Sequence, residues 1–154
     1  ESDLCLQFAK ALETEALKKN IEVVMVRTTD EYKTLNNRNT FKAENGVKSY
    51  FVSFHLNAEN TKTHRGATIQ YNGKAQGSAT TKTLAEKLTY GFNLINDIGT
   101  QVNDESKALI VKNSEIPAVI IEPGYISNEA DLHKMKDKGI QQEVAMLIVK
   151  AVSE

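Results

Sequence analysis

Over the first nineteen residues, apolar side chains recur at Cys5, Phe8, Leu12 and Ala16, with Ala9 beside them and polar residues in most other positions. Spacings of three and four place these side chains on one stripe, so residues 1–19 are predicted to form an amphipathic helix that Asn20 closes. The pattern then changes. Ile21-Glu22-Val23-Val24-Met25-Val26-Arg27 is a β-branched, nearly continuous apolar run, as in strands covered on both faces. A polar stretch rich in Asn and Thr follows, in which Phe41 and Ala43 suggest a short helix. Tyr50 to Leu56 reads as the next strand, and Ala67 to Tyr71 as a third between Gly66 and the turn Asn72-Gly73. Thr81, Leu84, Leu88 and Phe92, with Ala85 and Ile95, outline a second amphipathic helix. Ala108 to Val111 and Ala118 to Glu122 read as short buried strands. Asn128, ahead of Glu129 and Asp131, is an N-cap with an acidic first turn, and Ile140, Val144, Leu147, Ile148 and Ala151 mark the last helix.

Strands that alternate with helices of this length predict one α/β domain over residues 1–154, with a mostly parallel mixed sheet flanked by helices on both faces. Charge narrows the partners. Nineteen basic and twenty acidic side chains leave a net charge of −1, which gives no footprint for nucleic acid or an anionic membrane. Apolar runs are a few residues long, too short to span a bilayer. The single cysteine, Cys5, lies on the apolar stripe of the first helix and reads as a small buried hydrophobe. The chain opens at Glu1, already inside a helical pattern, as a fragment or processed form would.

In a parallel sheet, chemistry gathers beyond the carboxyl ends of the strands. His55 lies at such an end and, on a period of two, shares a face with Ser53 and Asn57. Glu122 ends the run Ala118-Val119-Ile120-Ile121, where a buried carboxylate needs a partner or a task, and Pro123-Gly124 turns the chain after it. Glu1 precedes Cys5 on the helix stripe and therefore points toward the sheet. Each residue also has a plainer reading: His55 as a packed core or rim imidazole, Glu1 as a first-turn acid on its helix dipole, Glu122 as half of a salt bridge. His64 and His133 read as solvent-facing, and Gly73 to Ser78 as a turn, since its spacing is not that of a phosphate loop.

The words "ESDLCLQFAKAL", "VVMVRTTD", "SFHLNA", "RGATIQYNG" and "PAVIIEPGYISNEAD" stand in one order and spacing. In these the chain closely resembles the zinc-dependent N-acetylmuramoyl-L-alanine amidases, the catalytic domains of autolysins, spore cell-wall hydrolases and phage endolysins. The resemblance runs from Glu1 to the last helix. It implies that Glu1 and His55 are zinc ligands and that Glu122 is the catalytic carboxylate; Asn57, on the same face as His55, is read as fixing the strand end or touching substrate. It also implies the substrate, the peptidoglycan amide between N-acetylmuramic acid and L-alanine, and hence an extracellular or cell-wall place of work. Zinc suits these donors and this reaction, since it lowers the pKa of a bound water to roughly 7.

One departure stands out. The family carries a further zinc-binding histidine in a glycine-rich word at the end of a strand ahead of the opening helix, and this sequence has neither. The expectation is therefore an amidase domain truncated at its amino terminus, lacking its first strand and binding zinc weakly, with an unpaired sheet edge. Two other classes compete: a non-catalytic peptidoglycan-binding or regulatory relative, and another zinc hydrolase such as a carboxypeptidase. A nucleotide-binding protein would need a phosphate loop that is not found.

Overall fold

In the computed structural model, the described residues are 1–38, 42, 44, 46–95 and 99–154, the side chains of residues 35 and 36 excepted. The short helix expected around Phe41 and Ala43 lies outside them. In chain order the elements are α1 (Ser2–Leu17), α2 (Leu35–Arg38), β1 (Phe51–Phe54), β2 (Ala67–Gln70), α3 (Ser78–Ile95), β3 (Thr100–Asn103), α4 (Leu109–Lys112), β4 (Ala118–Glu122), α5 (Glu129–Lys136) and α6 (Lys138–Ser153).

The strands form one sheet in the order β1-β4-β2-β3. β1 runs parallel to β4 and β3 parallel to β2, while β2 and β4 are antiparallel. The expected mixed, mostly parallel sheet is therefore present. β4 has a neighbour on each side and is buried along its whole length, which is why its sequence is a continuous Val/Ile run instead of an alternating one. On one face, Val119, Ile121 and Ile69 meet Phe8 of α1, Leu88 and Phe92 of α3, and Val144 and Ile148 of α6. On the other, Ala118 and Ile120 pack with Val111 of α4 and with Phe51 and Ile110. Among the described residues helices thus cover both faces unequally, with the long α1, α3 and α6 on the first and the short α4 on the second. The chemistry described below sits on the thinly covered side.

Local residues account for the long helices. Asn20 adopts the left-handed conformation at φ 56°, and the Ile21 amide returns to the Ala16 carbonyl at 3.0 Å, which closes α1 where the sequence expected it. Gly91 lets α3 and α6 touch, because a Cβ there would come within 2.5 Å of the Leu147 side chain.

Two expectations need correction, and one strand was not foreseen. Ile21 to Arg27 is not a strand: it makes no ladder among the described residues, and Val24 is 63% exposed. A strand exists only through a partner, and among the described residues β1 pairs with β4 alone. Ala108 to Val111 is the turn of helix α4, with only Val111 of Leu109–Lys112 buried. An apolar run of four has no measurable period, so pattern alone does not separate the two forms. The unforeseen strand is β3, Thr-Gln-Val-Asn at the sheet edge, mostly exposed and paired only with β2. It lacks the apolar alternation that marks a half-buried strand.

Candidate active site

Two parallel strands end side by side. Phe54 pairs with Ile121, and the His55 amide donates to the Ile121 carbonyl at 3.0 Å. One further step along this register sets His55 beside Glu122, with both side chains leaving the same face of the sheet. The pairing resumes beyond the turn. Asn57 donates its amide to Gly124 O at 3.0 Å and accepts from Ile126 at 2.7 Å, so the two strand ends remain clamped through Pro123 and Gly124.

Glu1 reaches this place from the start of α1. It occupies the N-cap position without capping the helix by its side chain. Instead Oε1 lies 3.3 Å from His55 Nδ1 and accepts the Leu56 amide, also at 3.3 Å. The carboxylate therefore faces the strand end and not its own helix N-terminus. Arg27 steadies that end of α1 by donating to the Ser2 carbonyl at 2.7 Å, and Ser2 donates its hydroxyl to Asp30 at 2.8 Å. Both Glu1 and His55 keep nearly half of their side-chain surface open to solvent.

Glu122 is different in kind. It is 9% exposed, and Asn57 Nδ2 donates to its Oε2 at 3.3 Å. The salt-bridge alternative has no counterpart among the described residues, where no Lys, Arg or His pairs with Glu122. Asn57 thus bridges the histidine strand and the carboxylate, on the face where the period-two reading put it.

Of the supports of this site, the Asn128 cap was expected from the sequence and the others were not. Asp131, expected to serve as a first-turn acid, is buried and turned inward. Its Oδ2 accepts the amides of Gly66 at 2.9 Å and Tyr125 at 3.0 Å, and Oδ1 lies 3.4 Å from Arg65 Nε. One carboxylate so ties the entry to β2 to the turn after Glu122. Asn128 caps α5 through the Ala130 and Asp131 amides and donates to the Lys62 carbonyl at 2.9 Å. Glu59 gathers the loop that follows Asn57. Its carboxylate accepts from the Thr61 hydroxyl and from the Thr63 and His64 amides, and pairs with the His64 ring at 3.0 Å. Those bonds, the Thr61 hydroxyl foremost, hold the Glu59 carboxyl down at about 2. The His64 ring stacks on Tyr125 at 5.9 Å, and burial raises the Tyr125 phenol.

Whether the residues present suit a metal turns on the pair Glu1 and His55. A tetrahedral zinc with bonds of about 2.0–2.1 Å sets neighbouring donor atoms roughly 3.3–3.4 Å apart. Glu1 Oε1 and His55 Nδ1 are 3.3 Å apart, and carboxylate with imidazole is a donor set zinc accepts. The pair fits two adjacent positions. Among the described residues no group of three or more His, Cys, Asp and Glu stands ready to hold an ion. His64 is committed to Glu59, and His133 is exposed on α5.

Comparison with known proteins gives the family. The Amidase_3 family model, described as N-acetylmuramoyl-L-alanine amidase, matches residues 1–154. The N-acetylmuramoyl-L-alanine amidase LytC of Bacillus subtilis is 27% identical over 150 residues, 96% of this chain and 29% of LytC. The probable cell wall amidase LytH of Staphylococcus epidermidis is 29% identical over 154 residues, all of this chain and 49% of LytH. The chain therefore spans less than half the length of these curated relatives. Among solved structures, an N-acetylmuramoyl-L-alanine amidase from Clostridium difficile 630 superposes with a TM-score of 0.83 at 31% identity, covering 98% of this chain and 81% of that one. The catalytic domain of CwlV from Bacillus (Paenibacillus) polymyxa shares the fold with a TM-score of 0.82 at 23% identity, covering 96% and 80%. With a family match that runs from the first residue to the last, the chain belongs to the N-acetylmuramoyl-L-alanine amidases.

Proposed function

We propose that this chain is the hydrolytic domain of a zinc-dependent peptidoglycan amidase, which cleaves the amide between N-acetylmuramic acid and L-alanine and works in the cell wall. The observation that carries the reading is the contact of Glu1 with His55 at the end of β1, one register step from Glu122 at the end of β4. Glu1 and His55 are the residues that would hold the metal. When bound, zinc supplies a water acidic enough to give up a proton near neutral pH and an electrophilic centre for the developing oxyanion.

The remaining work falls to this chain's own groups. Glu122, held back from the metal pair by its strand, takes the proton from the attacking water. The water oxygen forms a bond to the amide carbon, and the carbon–nitrogen bond breaks. Glu122 then delivers its proton to the departing nitrogen, leaving a lactyl carboxylate on the sugar and a free amine on L-alanine. In the free protein Asn57 holds Oε2 of Glu122. His55 turns Nδ1 toward Glu1 Oε1, which makes this nitrogen the one that can serve as a donor to metal.

The reading includes a third ligand, a histidine on a strand ahead of α1 in the parent protein. Its support is the edge of β1 that pairs with no strand among the described residues, together with the apolar, unladdered run Ile21 to Arg27, which has the composition of a strand. Digestion of purified muropeptides tests the activity: an amidase frees intact stem peptides with a new amino-terminal L-alanine, whereas a carboxypeptidase shortens them from the other end. A protein that binds the glycan–peptide polymer and releases neither product would belong to the non-catalytic class.

A further inference from the structure

Because β4 lies between β1 and β2, Glu122 at its end has a neighbour on each adjoining strand. On the β1 side that neighbour is Asn57, bonded to Oε2. On the β2 side the antiparallel register pairs Glu122 directly with Thr68. Directly opposed residues leave the sheet from the same face with Cβ atoms about 4.5–5.5 Å apart. Thr68 is 7% exposed, and its Oγ1 is one of two buried side-chain polar atoms without a hydrogen-bond partner among the described residues. The other, Thr100 Oγ1, belongs to the opposite face, because Thr100 pairs with Ala67 of the main core.

A buried hydroxyl with no partner is destabilising, and valine would fill the same space on a strand without that cost. The oxygen is also covered too completely for direct contact with a polymer substrate. Two polar side chains stand directly across from Thr68, Gln101 on β3 and Glu122 on β4; Gln101 is exposed at the sheet edge, whereas Glu122 is buried together with Thr68. Rotation of Glu122 away from Asn57, toward β2, brings its carboxylate to the hydroxyl.

We infer that Thr68 is a positioning residue for Glu122: in the substrate-loaded site its hydroxyl donates to the carboxylate and holds it on the β2 side, opposite Asn57. The inference rests on the reading of Glu122 as the proton carrier. It gives that residue two tethered positions, one at Asn57 in the free protein and one at Thr68 during turnover.

The test compares Thr68→Val, Thr68→Ser and Glu122→Gln in the protein that carries this chain, by thermal melting and by steady-state kinetics on purified muropeptides. Thr68→Val is expected to melt at or above the wild-type temperature, since it removes an unsatisfied group. It should also lose about tenfold in kcat with KM unchanged, and Thr68→Ser should recover most of that loss. A lower melting temperature for Thr68→Val, as a purely structural hydroxyl would give, overturns the inference. So does an unchanged kcat. Glu122→Gln separates the two layers: if it stays active, the proton-carrier reading fails, whereas an inactive Glu122→Gln beside a fully active Thr68→Val removes Thr68 alone.

Discussion

Glu1 Oε1 lies 3.3 Å from His55 Nδ1, although 54 residues separate the two in sequence. The first comes from the start of a helix that packs on one face of the sheet, and the second from a strand end. Neither residue gains its neighbour from local structure, so the contact reports how the domain is assembled.

Glu122 is the residue whose loss should silence hydrolysis without harming the fold. Glu122→Gln keeps shape and the bond from Asn57 but cannot carry a proton. Activity on muropeptides should fall by at least about a hundredfold, with the melting temperature close to wild type. Activity within a few-fold of wild type would remove Glu122 from the mechanism.

Asp131 carries a structural load. Asp131→Ala leaves the amides of Gly66 and Tyr125 without their acceptor and Arg65 without its partner, all near a buried turn. A loss of about 3 kcal/mol in denaturant unfolding is expected. Because the same carboxylate fixes the turn after Glu122, catalysis should weaken beyond what the unfolded fraction explains.

Glu59 makes the loop over residues 59–64 sensitive to acid. Its folded pKa of about 2 lies below the ordinary 4.5, so its contribution is fully present above pH 4.5 and is lost as pH falls toward 2. Amide exchange at Thr63 and His64 should accelerate across that window, while Glu59→Gln should show fast exchange already at pH 7. Flat protection of both amides from pH 5 to pH 2 would contradict the loop architecture.

Much of this was written in the chain. The stripe Cys5, Phe8, Leu12 and Ala16 and the run Ala118 to Ile121 have lengths and periods that permit one reading, and both elements stand where those patterns put them. His55 and Glu122 were legible for a related reason: a strand end followed by a turn exposes whatever polar residue closes it. β3 and α4 were not, since four-residue segments carry too little period to separate strand from helix. The run Ile21 to Arg27 misled because composition reports strand propensity and not the presence of a pairing partner. Asp131, Glu59 and Thr68 were invisible in function because their partners are backbone amides or a cross-strand neighbour, brought near only by the tertiary fold.

Zinc titration by calorimetry, on the protein that carries this chain and on its Glu1→Gln and His55→Ala variants, probes the metal pair most directly. Stoichiometric zinc binding should weaken by more than about a hundredfold in each variant, while the fold, followed by circular dichroism, is kept. Unaltered zinc affinity in either variant would show that the opening carboxylate or the strand-end imidazole is no ligand, and the amidase mechanism built on them would fall.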